Sequence, residues 1–382
     1  MSEGNGAGAG RGRTRVVHMS TVHMPFDSRI FERECRTLAA AGFDVRLLVP
    51  HDREETVDGV HLVPLPRYRS RLGRMTLGQL AIGRLALRQR ASLYHFHDPE
   101  LLGVGALLRL AGRPVVYDAH EDLPRDLLTK EWLPRPLRGL MARCAEAVEA
   151  AAARLLSGVV AATPVIARRF PARKVTVVNN FPPLDEISPE LGAPYARRDP
   201  VVLYTGDLAE IRGASELVET IDLVPERLGA RLLLLGRFTS PTLRARLEGH
   251  PGWRRVDFRG WAGWDEVQRA LGTARVGIIL YRPEPNYVTA QPRKLFEYIA
   301  AGLPVVASDF PYWRRIVEEP GLGLCVDPRD PAAAAEAVAW LLEHPGEAEE
   351  MGLRGHREAR ERYGWSVEAE ELLGLYGRLL AA

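Results

Sequence analysis

The sequence predicts two doubly wound α/β domains in tandem. At 382 residues, 46% of them apolar, the chain exceeds the size at which one hydrophobic core keeps growing. Short runs rich in Val, Ile and Leu alternate with helix-length amphipathic segments, which is how doubly buried parallel strands and their crossover helices read. The alternation breaks at Asn180–Pro200, where Phe181-Pro182-Pro183 and further prolines and acids replace the periodic pattern.

In chain order, residues 1–13 are Gly- and Ala-rich without the apolar run of a secretory signal, and a disordered tail is expected there. A first domain is expected over residues 14–180, with strands near Val16–Met19, Val45–Val49, Val60–Val63, Leu93–His97, Val115–Asp118, Val159–Ala161 and Val175–Val178. A linker over 181–200 leads to a second domain over 201–363. Its strands are Val201–Thr205, Leu232–Leu235, Val256–Phe258, Val276–Leu280, Val305–Ala307 and Leu324–Val326, with helices such as Ser215–Val224 and Pro331–Leu342 between them. Residues 364–382 carry a last helix, Ser366–Leu380, long enough to pack back on the first domain. Ligands of open parallel sheets sit outside the carboxyl ends of the strands, so residues just after strands are the candidates for function, and two such domains would place a cleft between them.

Charge nearly cancels, at +2, which excludes the global basic field of a dedicated nucleic-acid binder. Cys35, Cys144 and Cys325 are odd in number and far apart, which fits buried thiols in a reducing compartment better than a disulfide framework or zinc site. No stretch approaches about eighteen uninterrupted apolar residues. A cytoplasmic protein is expected.

The most informative segment is Gln291-Pro-Arg-Lys-Leu-Phe-Glu-Tyr-Ile-Ala-Ala-Gly302, a charged helix start, an apolar helix and a Gly stop before a buried strand. A helix start favours phosphate, and Lys294 adds a full charge in the first turn. Glu297, one turn on, is placed to accept hydrogen bonds from a ribose. The plain alternative is a solvated Lys and Glu on an ordinary helix.

The run Pro292-x-Lys294-x-Phe296-Glu297-Tyr298-x-Ala-x-Gly302-x-Pro304-Val-Val resembles the donor signature of family 4 glycosyltransferases of bacterial type. The resemblance covers nearly the whole chain from about Thr14. It implies the GT-B fold, two Rossmann-like domains facing across a cleft, with retaining transfer from a nucleotide sugar, Glu297 on the donor ribose and no metal ion in catalysis. The family has a second Glu eight residues earlier that contacts the donor sugar, and Thr289 stands there. Asn286, Tyr287 and Gln291 are possible replacements in the same loop. The turn Tyr204-Thr205-Gly206-Asp207-Leu208-x-x-Ile211-Arg212-Gly213 is similar to the family's diphosphate loop, with Arg212 at its Lys position and Asp207 in place of its Arg. Phosphate clamping is then expected from Arg212, Lys294 and backbone N–H groups around Gly206. Arg237 and Trp261 follow strands where the family lines its base pocket, Trp261 as a stacking surface or as partial core.

In the first domain three polar clusters end strands: His18–Arg29, His95-Phe-His97-Asp98-Pro-Glu100, and Tyr117-Asp118-Ala-His120-Glu121-Asp122. Several His and acidic residues converging on one rim are hard to explain by packing alone. His120 matches the family position beside the reacting sugar and His97-Asp98 its His-Glu-Pro-like segment, so His120, His97 and Asp98 are the catalytic candidates. Asp27 and Arg29, in a loop resembling a bacterial subgroup with Asp-x-Arg-Ile-Phe, and Glu121 are the acceptor-side candidates. No His-Glu-x-x-His or similar spacing appears, so metal ligation is the weaker reading.

From Gly59 to His97 there is no acidic residue, while Arg67, Arg69, Arg71, Arg74, Arg84, Arg88 and Arg90 crowd a segment with a Leu-rich helix. Such a helix suits an anionic membrane surface, each Arg contributing about 1 kcal/mol. An Arg-rich solvated face is the alternative. The expected partners are a nucleotide-sugar donor and a sugar, lipid-linked or small-molecule acceptor, with no nucleic acid and no cofactor. A catalytically silent sugar-nucleotide binder is the rival from another class, and no Gly-x-Gly-x-x-Gly follows a strand to suggest a dehydrogenase.

Overall fold

The structure is a computed structural model that describes residues 13–381 except 69, 131–132, 185–186 and 188–193. The expected tail, apart from Arg13, and much of the expected linker lie outside the described residues.

Two compact units are present. The first holds the chain up to Asp122, Arg143–Val178 and Ala369 onward. Its strands are β1 (Arg15–Met19), β2 (Asp44–Pro50), β3 (Glu55–Val57), β4 (Val60–Leu65), β5 (Leu93–Phe96), β6 (Val115–Ala119), β7 (Gly158–Ala161) and β8 (Val175–Val177). They form one sheet in the order β3-β4-β2-β1-β5-β6-β7-β8, parallel except for β3. The chain winds outward from β1 to one edge, then returns to β5 and winds to the other. The carboxyl ends of β1 and β5 therefore flank the switch point where such sheets bind ligands.

The second unit, Leu123–Ala142 and Asn179–Glu368, has a six-stranded parallel sheet. Its strands are β9 (Val201–Thr205), β10 (Arg231–Leu235), β11 (Val256–Gly260), β12 (Val276–Ile279), β13 (Val305–Ser308) and β14 (Gly323–Val326), in the order β11-β10-β9-β12-β13-β14. Its switch point lies between β9 and β12. Strand residues such as Leu203, Leu234, Ile278 and Val306 are at most 1% exposed, and full burial of such side chains stabilises by about 1.5–3 kcal/mol each. This is why the apolar runs were readable as doubly covered strands.

Every expected strand is present within two residues at its ends, and one further strand, β3, was missed. It is a three-residue edge strand joined to β4 by a hairpin whose central residues, Asp58 and Gly59, have φ of 50° and 78°. Asp-Gly is the sequence signal of such a turn, since it asks for two positive φ values in succession. The boundaries of the units also differ from the expected ones. Leu123–Ala142 groups with the second unit, and the last helix, Trp365–Ala381, sends Ala369 onward to the first. Periodicity reports local elements, not which core receives them.

Candidate functional site

In the first unit, parallel register sets His18 of β1 beside His95 of β5. Period-two alternation then places His97 on the same side as His95, and β6 delivers Asp118 and His120 next to them. The segment Ile30–Cys35 is a π-helical turn, with Glu34 N–H donating to Arg29 O at 3.0 Å, five residues back. The widened turn carries Arg29, Arg33 and Glu34 inward, to exposures of 4%, 2% and 0%. Arg29 forks onto Asp118, with Nε to Oδ2 at 3.2 Å and Nη2 to Oδ1 at 3.0 Å, and its Nη1 donates to Val178 O at 2.8 Å. Burial would raise the Asp118 pKa, but Arg29 and His120 overcome it and hold the carboxyl well below the usual range. The Glu34 carboxyl, 3.0 Å from Arg29 Nε, is pushed well above its usual range by burial and by the Asp118 charge.

Burial depresses His18 and His95, and brings His97 down to about 4 despite its hydrogen bond to Asp118. These rings are therefore neutral near pH 7. His120 stands at the edge of the cluster with its side chain 15% exposed, Nε2 lying 3.0 Å from Asp118 Oδ2. The ring of His23 packs against it at 5.2 Å between centroids. Burial opposes protonation of His23, but its hydrogen bond to Asp27 and the charge of Asp98 raise its pKa overall.

Two of the expected site residues are engaged by the fold itself. Asp98 is 3% exposed and accepts from Thr21 N–H at 2.5 Å and from the Ser20 and Thr21 hydroxyls at 3.1 Å each, so it anchors the loop after β1. Arg29 is the buried counter-ion of Asp118, with the Glu34 carboxyl 3.0 Å from its Nε, so its guanidinium is already engaged within the first unit. Asp27 caps the turn through the N–H groups of Arg29 and Ile30 at 2.8 and 3.0 Å, while Glu121 is exposed. Glu34 and Tyr376, whose hydroxyl lies 2.8 Å from His18 and 2.9 Å from His95, were not anticipated. Nothing local marks either residue, since both reach the cluster only through the fold.

Metal-ligating atoms do come together. Those of His18, Glu34, His95 and His97, and separately of Glu34, His97, Asp118 and His120, lie within 4.8 Å of one another. Both sets share Glu34 with the Arg29 guanidinium, which already supplies a positive charge, and the His nitrogens largely bond one another. The donors thus suit a hydrogen-bonded network better than a cation.

In the second unit the expected donor residues gather around the switch point. Gly206, with φ of 101°, turns the chain directly after β9, and a Cβ there would lie 2.9 Å from Lys294 Nζ. A Cβ on Gly236 would lie 1.9 Å from Gly206 O, so two glycines let the ends of β9 and β10 approach closely. Lys294 opens the helix Arg293–Ala300, whose start no side chain caps. Its Nζ is buried with no hydrogen-bond partner among the described residues, lies 3.6 Å from the Tyr204 ring centroid, and is also near Tyr281. Burial, then the Arg212 charge, lowers its pKa well below the ordinary lysine value. An amine so placed lacks the anion that would offset its desolvation.

Arg212 is paired with Asp207 at 3.3 Å; burial opposes its charge, but Tyr281 and Tyr287 keep its pKa above the ordinary value. Glu297 is buried and ion-paired with Arg293. Trp261 is 66% exposed, with the Arg237 guanidinium 5.4 Å from its ring centroid, so it is an open platform rather than partial core. In the loop that carries Thr289, Asn286 Oδ1 and Gln291 Oε1 are buried without hydrogen-bond partners among the described residues, whereas Thr289 Oγ1 takes a hydrogen bond from Arg125 at 3.4 Å. The structure thus brings Gly206, Arg212, Lys294 and Glu297 into one neighbourhood through the β9 turn and the 293–300 helix.

Known proteins share this architecture. The family model described as "Glycosyl transferases group 1" matches residues 199–344, and that described as "Glycosyl transferase 4-like domain" matches residues 28–180. A phosphatidyl-myo-inositol mannosyltransferase of Mycobacterium leprae is 32% identical over 192 residues, 50% of this chain and 49% of the relative. The chain spans about half the length of the curated relatives it matches. Among solved structures, a sucrose-phosphate synthase of Thermosynechococcus elongatus superposes with a TM-score of 0.78 at 20% identity, covering 97% of this chain and 100% of that one. The Anabaena protein HepE in complex with UDP-glucose gives a TM-score of 0.71 at 17% identity over 96% of this chain and all of that one, a likeness of fold. With the two domain models matched in the order in which the two sheets occur along the chain, this protein belongs to the family 4 glycosyltransferases of the GT-B fold.

Proposed function

We propose that this glycosyltransferase takes its sugar from a nucleoside-diphosphate sugar held by the second unit and passes it, with retention, to an acceptor hydroxyl. The observation that carries the donor reading is the buried, unpartnered Lys294 amine against the Gly206 turn. A diphosphate seated there would receive Lys294 and Arg212 together with backbone N–H groups. Glu297, released from Arg293, would accept from ribose hydroxyls, and Trp261 would stack on the base. Asn286 and Gln291 would meet the sugar in place of the acid that Thr289 replaces. The complexes of the structural neighbour HepE with UDP and UDP-glucose concern that protein, and they make a uridine donor the first to try here.

In the transfer step the bond between the anomeric carbon and the diphosphate oxygen breaks. The acceptor oxygen then bonds to the same face of that carbon, and its proton passes to the departing phosphate oxygen. The protein's part is positioning and neutralising charge, with positive side chains doing what a metal ion would otherwise do. His120 would hold a sugar hydroxyl, backed by Asp118 and His97. The decisive experiment incubates the protein with a panel of nucleotide sugars and simple acceptors and reads the anomeric configuration of the product by NMR. Neither transfer nor donor hydrolysis with any member, while nucleotides still bind, would favour a silent binding protein instead.

A second observation supports peripheral membrane contact. Leu77, Leu80, Arg84, Leu87 and Arg88 recur at helical spacing along residues 74–89 and all are exposed, with Arg90 beside them. Arg67 is paired with Asp52 at 3.3 Å and Arg74 with Glu100 at 2.9 Å, so the exposed Arg84, Arg88 and Arg90 are the better anchors. Arg69 lies outside the described residues. No described helix is long and apolar enough to cross a membrane.

A further inference from the structure

Three helices of the first unit pack on one face of its sheet. Helix Gln79–Gln89 buries Ile82 and Ala86, helix Leu102–Leu110 buries Val104 and Leu108, and the first-unit part of helix Arg135–Leu155 buries Ala153. All join one cluster with Tyr94, Phe96, Val115, Tyr117 and Val159 of β5, β6 and β7. An amphipathic helix keeps its apolar stripe for the core, so the outer sides should be polar. They are not. Leu80 and Leu87 of the first helix, Leu107 and Leu110 of the second, and Leu137, Leu140, Met141, Val148 and Leu155 of the third are 39% to 72% exposed. Along the third helix Leu137, Met141, Cys144, Val148, Ala151 and Leu155 recur at alternating steps of four and three residues and are all exposed, a continuous seam on one side.

Positive charge accompanies these side chains. Arg84, Arg88 and Arg90 belong to or follow the first helix, Arg109 and Arg113 the second, and Arg143 and Arg154 lie in the third. Among the described residues none of these seven is in an ion pair. The first two helices contain no acid, and of the two in the third, Glu149 is buried against Arg169. The second unit is different: its exposed Arg227, Arg244, Arg254 and Arg259 face Glu343, Glu248, Glu226 and Asp257.

An apolar surface of this extent marks an interaction face, and the charges choose its occupant. A second copy of the chain would seat one seam on another. The positions flanking the seam hold Arg138 and Arg154 with Leu140, Ala145, Ala147 and Ala152, and no acid to pair with an arginine of the other copy. Nucleic acid would engage the arginines and leave the leucines in water. An anionic bilayer takes both, leucines at the headgroup–acyl boundary and arginines on the lipid phosphates. We infer that the outer surface of this helix layer docks on an anionic lipid bilayer, with Leu107, Leu110, Val148 and Leu155 entering it and Arg109, Arg113, Arg143 and Arg154 on its headgroups. The inference rests on the membrane contact proposed for residues 74–89 and widens it from one helix to three.

The test sediments the full chain with vesicles of phosphatidylcholine alone and of phosphatidylcholine mixed with phosphatidylglycerol. Wild type should pellet with the anionic vesicles only, and less as salt rises. Changing Leu107, Leu110, Val148 and Leu155 together to Gln, or Arg109, Arg113, Arg143 and Arg154 together to Gln, should each weaken that binding about tenfold or more. Changing Arg227, Arg244, Arg254 and Arg259 to Gln removes the same four positive charges from a net +2, yet should leave binding within about twofold. Wild-type-like binding by both first-unit variants would overturn the inference. The contact of residues 74–89 would survive that result if changing Arg84, Arg88 and Arg90 to Gln still abolished binding, and both fall if wild type binds neither vesicle. Loss in the arginine variant alone would make the face a site for a polyanion, and a vesicle-free dimer that the leucine variant disperses would make it a self-association face; either outcome overturns the bilayer.

Discussion

Replacing Lys294 by Met should act with opposite signs on stability and on binding. The amine is buried over the Tyr204 ring with no hydrogen-bond partner among the described residues, so its desolvation is not offset by a bonded anion. Met keeps most of the stem and removes the amine; a buried polar group without a partner costs about 1–3 kcal/mol, so its replacement by an apolar group of similar volume should be neutral or stabilising. A charge-assisted hydrogen bond to a phosphate contributes about 1.5–3 kcal/mol, so nucleoside-diphosphate affinity should fall roughly ten- to a hundredfold. Protons report the same event. Burial holds the free amine's pKa well below the ordinary lysine value, and a phosphate beside it would raise it again. Between those two values the protein takes up as much as one proton on binding, and affinity weakens as pH rises through that window. Calorimetry in buffers of different ionisation enthalpy measures the uptake, and thermal unfolding measures the apo stability. Lys294→Met with a lower apo melting temperature, unchanged affinity and unchanged proton uptake would show that Lys294 is a packing residue and that the donor site lies elsewhere.

Four other outcomes are expected. His120→Ala should lose about 10²–10⁴-fold in turnover with donor affinity within about twofold, as separate kinetics and calorimetry would show, and near-wild-type turnover would make it structural. Arg29→Met should destabilise the protein by about 3–5 kcal/mol in urea unfolding, since it strands Asp118 in the interior. Because Asp118 is depressed in the fold, its contribution is complete above an unfolded-state pKa of about 4 and is lost as pH falls through the lower folded value, so the difference between wild type and Arg29→Met should shrink in acid. Turnover should persist in excess EDTA, and a complete loss that magnesium restores would assign catalysis to a cation. Sedimentation with anionic vesicles should fall at high salt and on changing Arg84, Arg88 and Arg90 to Gln, because attraction decays over a Debye length of about 10 Å at 0.1 M; equal recovery in the supernatant throughout would exclude docking.

Much of the proposed donor site could be read without coordinates because its pieces are local. A helix start with Lys294 and Glu297 one turn apart, and a glycine directly after an apolar strand, each declare themselves within a few residues. The first-unit cluster was legible only as three polar strand ends. Their convergence was expected, but which member would be spent on the fold was not. Asp98 and Arg29 look like functional groups in sequence, and the structure engages the first in holding a loop and the second in neutralising Asp118. Edge strand β3 escaped because three residues are too few for a period to register, although Asp58-Gly59 announces its turn.

By itself the sequence determined the elements and their kind: buried parallel strands from apolar runs, helices from amphipathic spacing, and the family from residues within single helices and turns. These follow from backbone geometry and from hydrophobic burial, which act over a few neighbours. Only the tertiary structure decided that Tyr376 of the last helix meets His18 and His95, that Glu34 enters the same cluster, and that the Lys294 amine is left buried beside Tyr204 without a partner. Whether a polar group is paired, free or aimed at a neighbour depends on atoms distant in the chain, and on how far burial removes the water that would otherwise satisfy it.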